Sequence, residues 1–172
     1  MSSDAIALRP RVVISKGNMS KHGSKTTLHK VTKTIVSSPN IYKPVGPYSQ
    51  AILANNNTLY ISGVLGMDVQ GQLVCGGVEA QMRQALENLK HILESGGASL
   101  ESVVKTTLLV ANINDFQVVN QVYAQYFTRD YPARVTYQVG KLPLDAAVEI
   151  EAIALNGDLV VAQAGPCPCA RT

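Results

Sequence analysis

Tyr131-Pro132-Ala133-Arg134-Val135-Thr136-Tyr137-Gln138-Val139 and, beyond the loop Gly140 to Ala147, Val148-Glu149-Ile150-Glu151-Ala152-Ile153-Ala154 both alternate apolar and polar side chains. A period of two predicts strands. In the first, Val135, Tyr137 and Val139 share one face and Arg134, Thr136 and Gln138 the other. In the second, Val148, Ile150, Ala152 and Ala154 form the apolar face, while Glu149 and Glu151 stand about 7 Å apart on the polar one. Pro143 and Asp145 in the loop predict that the two strands form a hairpin. If both apolar faces lie against one core, Arg134 and the two glutamates meet on the far side of the sheet. A guanidinium near two carboxylates is either a salt-bridge lattice or a carboxylate-binding site with an acid/base group beside it.

With 172 residues the chain has room for one domain with a substantial core. No apolar run approaches a transmembrane span, and no hydrophobic segment follows Met1 as in a secretion signal. The expectation is therefore no membrane partner and a cytoplasmic location. Eight of the 15 lysines and arginines lie at or before Lys43 with Asp4 as the single acid, which leaves 7 basic against 11 acidic residues from Pro44 onward. A basic tail on a mildly acidic body argues against a nucleic-acid binding domain. Cys75, Cys167 and Cys169 are read as reduced thiols; no Cys/His cluster completes a zinc site, and a redox or metal role for the tail pair is the weaker reading.

Three segments are expected: a disordered basic extension over 1–30, a folded domain over 31–156 and a tail over 157–172. Scarcity of acids makes a mitochondrial targeting segment the alternative for the extension, against which stand Asp4 and Pro10. Met19 could serve as an internal start. Lys33 to Val36, Ala51 to Ala54 and Leu59 to Val64 read as strands. Between them, two prolines around Gly46 hold an extended turn that fixes where Tyr48 points: either a half-buried tyrosine of a rigid loop or a phenol presented to a pocket. Leu59 and Ile61 face one way, Tyr60 and Ser62 the other, and Gly63 permits close approach of a ligand.

Val78, Met82, Ala85, Leu86, Leu89, Ile92 and Leu93 follow helical spacing up to Gly96 and Gly97, with His91 on the wet face. Ser102 to Val110 predicts a central strand. A second helix opens at Asn114 as N-cap and carries Phe116, Val119, Val122, Tyr123, Tyr126 and Phe127 inward; Asn120 lies off that stripe, solvated or facing something polar at an edge. The order is β, β, β, α, β, α, β, β. Two helices cover one face of such a sheet, so the other, mixed face is expected to pack against further subunits.

Val45-Gly46-Pro47-Tyr48-Ser49-Gln50, Tyr60-Ile61-Ser62-Gly63, Asn114-Asp115-Phe116 with Val119-Asn120, Tyr131-Pro132-Ala133-Arg134 and Val148-Glu149-Ile150-Glu151-Ala152 resemble, in order and spacing, the RidA (YjgF/YER057c/UK114) family over roughly Thr34 to Leu155. The resemblance implies a chorismate-mutase-like α+β fold, a homotrimer with clefts between neighbouring subunits, and no cofactor or metal. It also implies hydrolysis of reactive enamine/imine acids, such as 2-aminoacrylate/2-iminopropanoate and 2-iminobutanoate, to 2-keto acids and ammonia. By the same resemblance Arg134 binds the substrate carboxylate and Glu149 activates water, while Tyr48, Ser62, Gly63 and Asn120 line the cleft. Thr136 stands where some relatives have cysteine, and Val64 where many have glutamine, which bears on substrate preference. Two competing readings are an endoribonuclease or translation inhibitor, and a chaperone-like interaction protein on the same fold. An RNA partner has little support here: no histidine lies near the motifs, and the positive charge sits in the tail.

Overall fold

The computed structural model describes residues 30–162. The expectations for the extension up to residue 29, for Met19, and for Cys167 and Cys169 fall outside the described residues. In chain order come β1 (Lys33–Val36), β2 (Ala51–Ala54), β3 (Thr58–Leu65), α1 (Gly77–Ser95), β4 (Val103–Val110), α2 (Phe116–Tyr126), β5 (Ala133–Gln138) and β6 (Val148–Leu155). The class is α+β: one six-stranded mixed sheet in the order β1-β2-β3-β6-β4-β5, with α1 and α2 sharing a core on one side.

On α1, Met82, Ala85, Leu86, Leu89, Ile92 and Leu93 are all buried, as the helical spacing requires. Each fully buried leucine among them contributes about 1.5–3 kcal/mol over an exposed one. Val119, Val122 and Tyr123 do the same for α2. The cap of α2 differs from the sequence expectation. Asn112, not Asn114, supplies the capping oxygen, accepting from Asn114 N at 3.0 Å to start a 3-10 turn over Ile113–Asp115, and α2 follows directly.

The predicted hairpin between β5 and β6 does not form. β6 crosses the sheet and inserts between β3 and β4, antiparallel to both, while β5 lies parallel to β4 at the edge. α2 is the crossover that a parallel pair needs. Burial explains the sorting. Val148, Ile150, Ala152 and Ala154 are all buried and belong at the centre, whereas no residue of β5 is fully buried.

Register across β4 then corrects the faces. Ile61, Ala152, Thr106 and Arg134 form one row, and Val64, Ile150, Leu108 and Thr136 another, both on the helix side. Leu65, Glu149, Leu109 and Tyr137 form a row on the opposite side, as do Glu151, Thr107 and Val135. Arg134 and Glu149 therefore lie on opposite faces of one sheet. Val64, which stands where many relatives have glutamine, is buried in the helix-side core in the row that ends at Thr136.

The register of β3 against β6 slips between Ile61 and Val64, so Ser62 and Gly63 together oppose Glu151. Such a bulge bends the strand and re-aims its side chains. Just beyond β3, Gly66 is pressed against the backbone of Gln81 on α1, where a methyl group would overlap main-chain atoms. Backbone cannot rotate away as a side chain can. Gly66→Ala is expected to cost about 1–3 kcal/mol or more, read as a lower urea midpoint with an unchanged slope.

Candidate active site

The predicted site residues form two groups on the two sides of the sheet. On the helix side, the Arg134 guanidinium carbon lies 4.7 Å from the centroid of the Tyr123 ring and 5.9 Å from that of Phe116. Tyr123 is itself fixed. Its ring stacks on Phe127 at 4.4 Å, and its hydroxyl is 2.9 Å from Thr106 Oγ1. Two rings on α2 thus orient a guanidinium from the edge strand through its electron-poor plane. Asn120 stands on α2 between Phe116 and Tyr123 in sequence; its Oδ1 is buried and accepts no hydrogen bond. A buried acceptor without a donor is costly, so this amide is poised for a partner. Thr136, half-buried, follows Arg134 on the same face.

On the opposite side, the Glu149 carboxylate is packed against Gly63, where any β-carbon would overlap it. Leu65 and Leu109 flank Glu149 in register, and belong to an apolar cluster with Tyr42, Met67, Leu142 and Ala146. Burial among them raises the proton affinity of Glu149 above the usual carboxylate range, and the charge of Glu151 on the same strand adds to the rise. Tyr42 accepts the Leu65 amide at 2.9 Å. Its phenol is pushed up to about 12, chiefly by burial, with Tyr48 and Glu149 further opposing its ionisation.

Tyr48 is positioned by its own turn. Its amide donates to Gly46 O at 2.9 Å, and its hydroxyl accepts from Val45 N at 3.3 Å. Gln50, buried, ties that turn down, accepting from Ser38 N at 2.6 Å and donating to Tyr42 O at 2.9 Å. The Ser62 hydroxyl donates to Ser49 O at 2.7 Å, which leaves its oxygen free to accept.

One chain therefore brings together Tyr48, Ser62, Gly63 and Glu149 on one side, and Arg134, Asn120 and Thr136 on the other. It does not bring Arg134 to Glu149, and neither is in an ion pair among the described residues. Sequence reasoning missed Tyr42, and read Phe116 and Tyr123 as core alone; the spacing Phe116, Asn120, Tyr123 on one helix face was the available signal. Among the described residues no group of three or more His, Cys, Asp or Glu side chains is placed to hold a metal ion. His91 is partly exposed on α1 with Nδ1 3.7 Å from Glu94, and no described helix is long and apolar enough to cross a membrane. A groove of about 540 Å³ lined by Glu79, Arg83, Glu87 and Tyr126 holds none of the predicted residues. Its polar groups are spent on one another, with Arg83 2.7 Å from Gln125 and Tyr126 2.8 Å from Glu87.

Residues 38–156 match a family model described as endoribonuclease L-PSP. Human 2-iminobutanoate/2-iminopropanoate deaminase is 46% identical over 136 residues, covering 78% of this chain and 98% of the human one. Chloroplastic Reactive Intermediate Deaminase A of Arabidopsis thaliana is 50% identical over 125 residues, covering 72% of this chain and 66% of the plant one. Among solved structures, RidA from an Antarctic Psychrobacter superposes with a TM-score of 0.68 at 40% identity, covering 70% of this chain and 98% of that one. The YjgF gene product of E. coli gives 0.66 at 37% identity, covering 70% and 96%. With a family model spanning most of the chain and a human relative matched over nearly its full length, the chain belongs to the endoribonuclease L-PSP family, the family of RidA.

Proposed function

We propose that the chain hydrolyses small reactive 2-imino acids to 2-keto acids and ammonia, in a cleft where Arg134 of one copy faces Glu149 of another. The observation that carries the activity is the near full-length match to relatives named 2-iminobutanoate/2-iminopropanoate deaminase. The two-copy site is supported by the register, which leaves Arg134 and Glu149 back to back in one chain. It is supported too by the uncovered sheet face, where Ile35, Tyr60 and Tyr137 are 68%, 50% and 56% exposed. An apolar surface of that kind calls for a second copy, and a closed ring of three satisfies every copy alike.

The residue types suit the chemistry. Arg134, held flat on two rings, offers two parallel N–H groups to a carboxylate. That fixes the imine carbon relative to the cleft. Water bonds to this carbon while Glu149 takes one of its protons and returns it to nitrogen, giving a carbinolamine; the same carboxylate then moves the remaining hydroxyl proton to the amine, the C–N bond breaks, and ammonia leaves as the carbonyl forms. A carboxylate whose proton affinity is raised by burial holds and returns a proton near neutral pH better than an ordinary one. Tyr48 keeps its O–H available to donate, and Ser62 presents an acceptor to an imine N–H. Asn120 and Thr136 supply an amide and a hydroxyl beside Arg134.

The test is release of ammonia or 2-keto acid from freshly generated 2-iminopropanoate and 2-iminobutanoate. The expected result is acceleration of both over buffer. No acceleration by the folded, assembled protein overturns the reading. The name of the family model favours ribonuclease as the second reading; it requires RNA cleavage by the same protein, and salt-sensitive RNA binding that vanishes on removing residues 1–30 assigns that binding to the basic tail instead.

A further inference from the structure

Gln81 lies on α1, on the other side of the sheet from Glu149, yet it touches both chain segments that frame the carboxylate. Its backbone is the surface on which Gly66 is pressed, three residues past Gly63. Its side-chain Oε1 accepts the amide of Ala147 at 2.8 Å. Ala147 immediately precedes the first ladder pair of β6, Val148 with Val110, so its amide lies outside the sheet and depends on Gln81. Its carbonyl accepts Ala111 N at 3.0 Å. Val148, between this tether and Glu149, is fully buried. The chain from Gln81 to the carboxylate is thus one fixed pleat.

Asn88, two turns further along α1, reinforces the β3 side. Its Nδ2 donates to Leu65 O at 3.0 Å and to Met67 O at 2.8 Å, while its Oδ1 accepts from Gln84 at 3.0 Å. Helix-on-sheet packing requires only apolar contact. Polar side chains reaching past it to main-chain groups fix something more specific, the path of the chain where the β3–β6 ladder ends, from Leu65 to Met67 on one side and at Ala147 on the other. That end of the ladder carries Glu149, whose carboxylate has no slack against Gly63.

We infer that Gln81 is a positioning residue for the Glu149 carboxylate, acting through its side-chain bond to the Ala147 amide. The inference rests on the reading that Glu149 handles the proton of the attacking water. The ionisable groups facing Glu149 are Glu151 on its own strand, Tyr42 and Tyr48 from the segment before β2, and Tyr137 in register beyond β4. Lys141 and Asp145 in the loop before β6 pair with each other at 2.8 Å. α1 brings no charge to that face, so replacing Gln81 by a neutral residue changes geometry and hydration around Glu149, not its electrostatic partners.

The experiment compares the full chain with Gln81→Leu, which removes the acceptor at similar volume, and Gln81→Glu, which keeps it. Gln81→Leu is expected to lower kcat on 2-iminopropanoate about tenfold to a hundredfold with KM little changed. The acidic limb of its pH profile moves to lower pH as water reaches the carboxylate. Gln81→Glu retains most of the wild-type kcat. In amide hydrogen exchange Ala147 loses protection in Gln81→Leu alone, and the Glu149 carboxyl resonance titrates at lower pH. A folded Gln81→Leu with wild-type kcat and an unmoved Glu149 titration overturns the inference. If the wild type accelerates nothing, the functional reading fails by itself, and the exchange and titration measurements still decide the positioning role.

Discussion

Arg134→Ala is expected to lower kcat/KM for 2-iminopropanoate and 2-iminobutanoate by about two to three orders of magnitude, and Arg134→Lys to restore little of it. The loss follows from two charge-assisted hydrogen bonds to one carboxylate, each contributing about 1.5–3 kcal/mol when water is excluded. Two such bonds at the lower end of that range, about 3–4 kcal/mol together, are a factor of 10² to 10³. Lysine keeps the charge but offers a rotatable point donor in place of a planar fork, and it gives up the stacking on Tyr123 and Phe116. Stability should barely respond. Arg134 is exposed on an edge strand, and a cation–ring contact at an exposed site is worth only about 0.5–1 kcal/mol. Steady-state kinetics beside urea unfolding separate the two effects. Near wild-type kcat/KM in Arg134→Ala removes Arg134 from the site.

The elements and their order were legible from periodicity, because each strand and helix carries a clean alternation or stripe. The faces of β3 and β6 were also legible, since Leu59, Ile61, Ile150 and Ala152 are unambiguously apolar. β5 misled for a physical reason. It is an edge strand with both faces partly open, so neither face has to be apolar, and Val135 and Tyr137 share the uncovered side with Glu149. Alternation reveals that two faces exist but not which of them a helix covers. Arg134 compounds the error by lying on the helix side, where α2 receives its charge on aromatic rings instead of excluding it.

Gln81 and Asn88 were invisible for a related reason. Each breaks or borders the apolar stripe of α1 by one polar side chain, and nothing local distinguishes a solvated amide from one bonded to a main-chain group far along the sequence. Tyr123 was read as core and is core, but its ring also orients the guanidinium. The proposed site sits on residues that also fold the protein, and sequence patterns report only the folding part.

Inactive Arg134→Ala and Glu149→Gln chains, co-expressed and co-assembled at equal ratio, are expected to recover about a quarter of wild-type activity. In the proposed arrangement each site takes its arginine from one copy and its glutamate from another. In random assembly about half the copies carry an intact Arg134 and about half an intact Glu149, and both must meet at one cleft. If both groups came from a single chain, every site would lack one of them and mixing would recover nothing. The Glu149→Gln partner is well suited to the experiment because it is expected to keep the fold. Burial raises the proton affinity of Glu149, so between its unfolded and folded titration points the native chain binds more protons than the unfolded one. Stability contributed by that group is then present at low pH and falls as pH rises through the window. A neutral amide removes the fall, so Glu149→Gln should be at least as stable as the wild type at neutral pH, with the difference closing on acidification. A pure Glu149→Gln assembly that unfolds more readily than the wild type at neutral pH would contradict the half-buried, unpaired carboxylate. Recovery in the mixed assembly with both parents silent would locate the chemistry between copies.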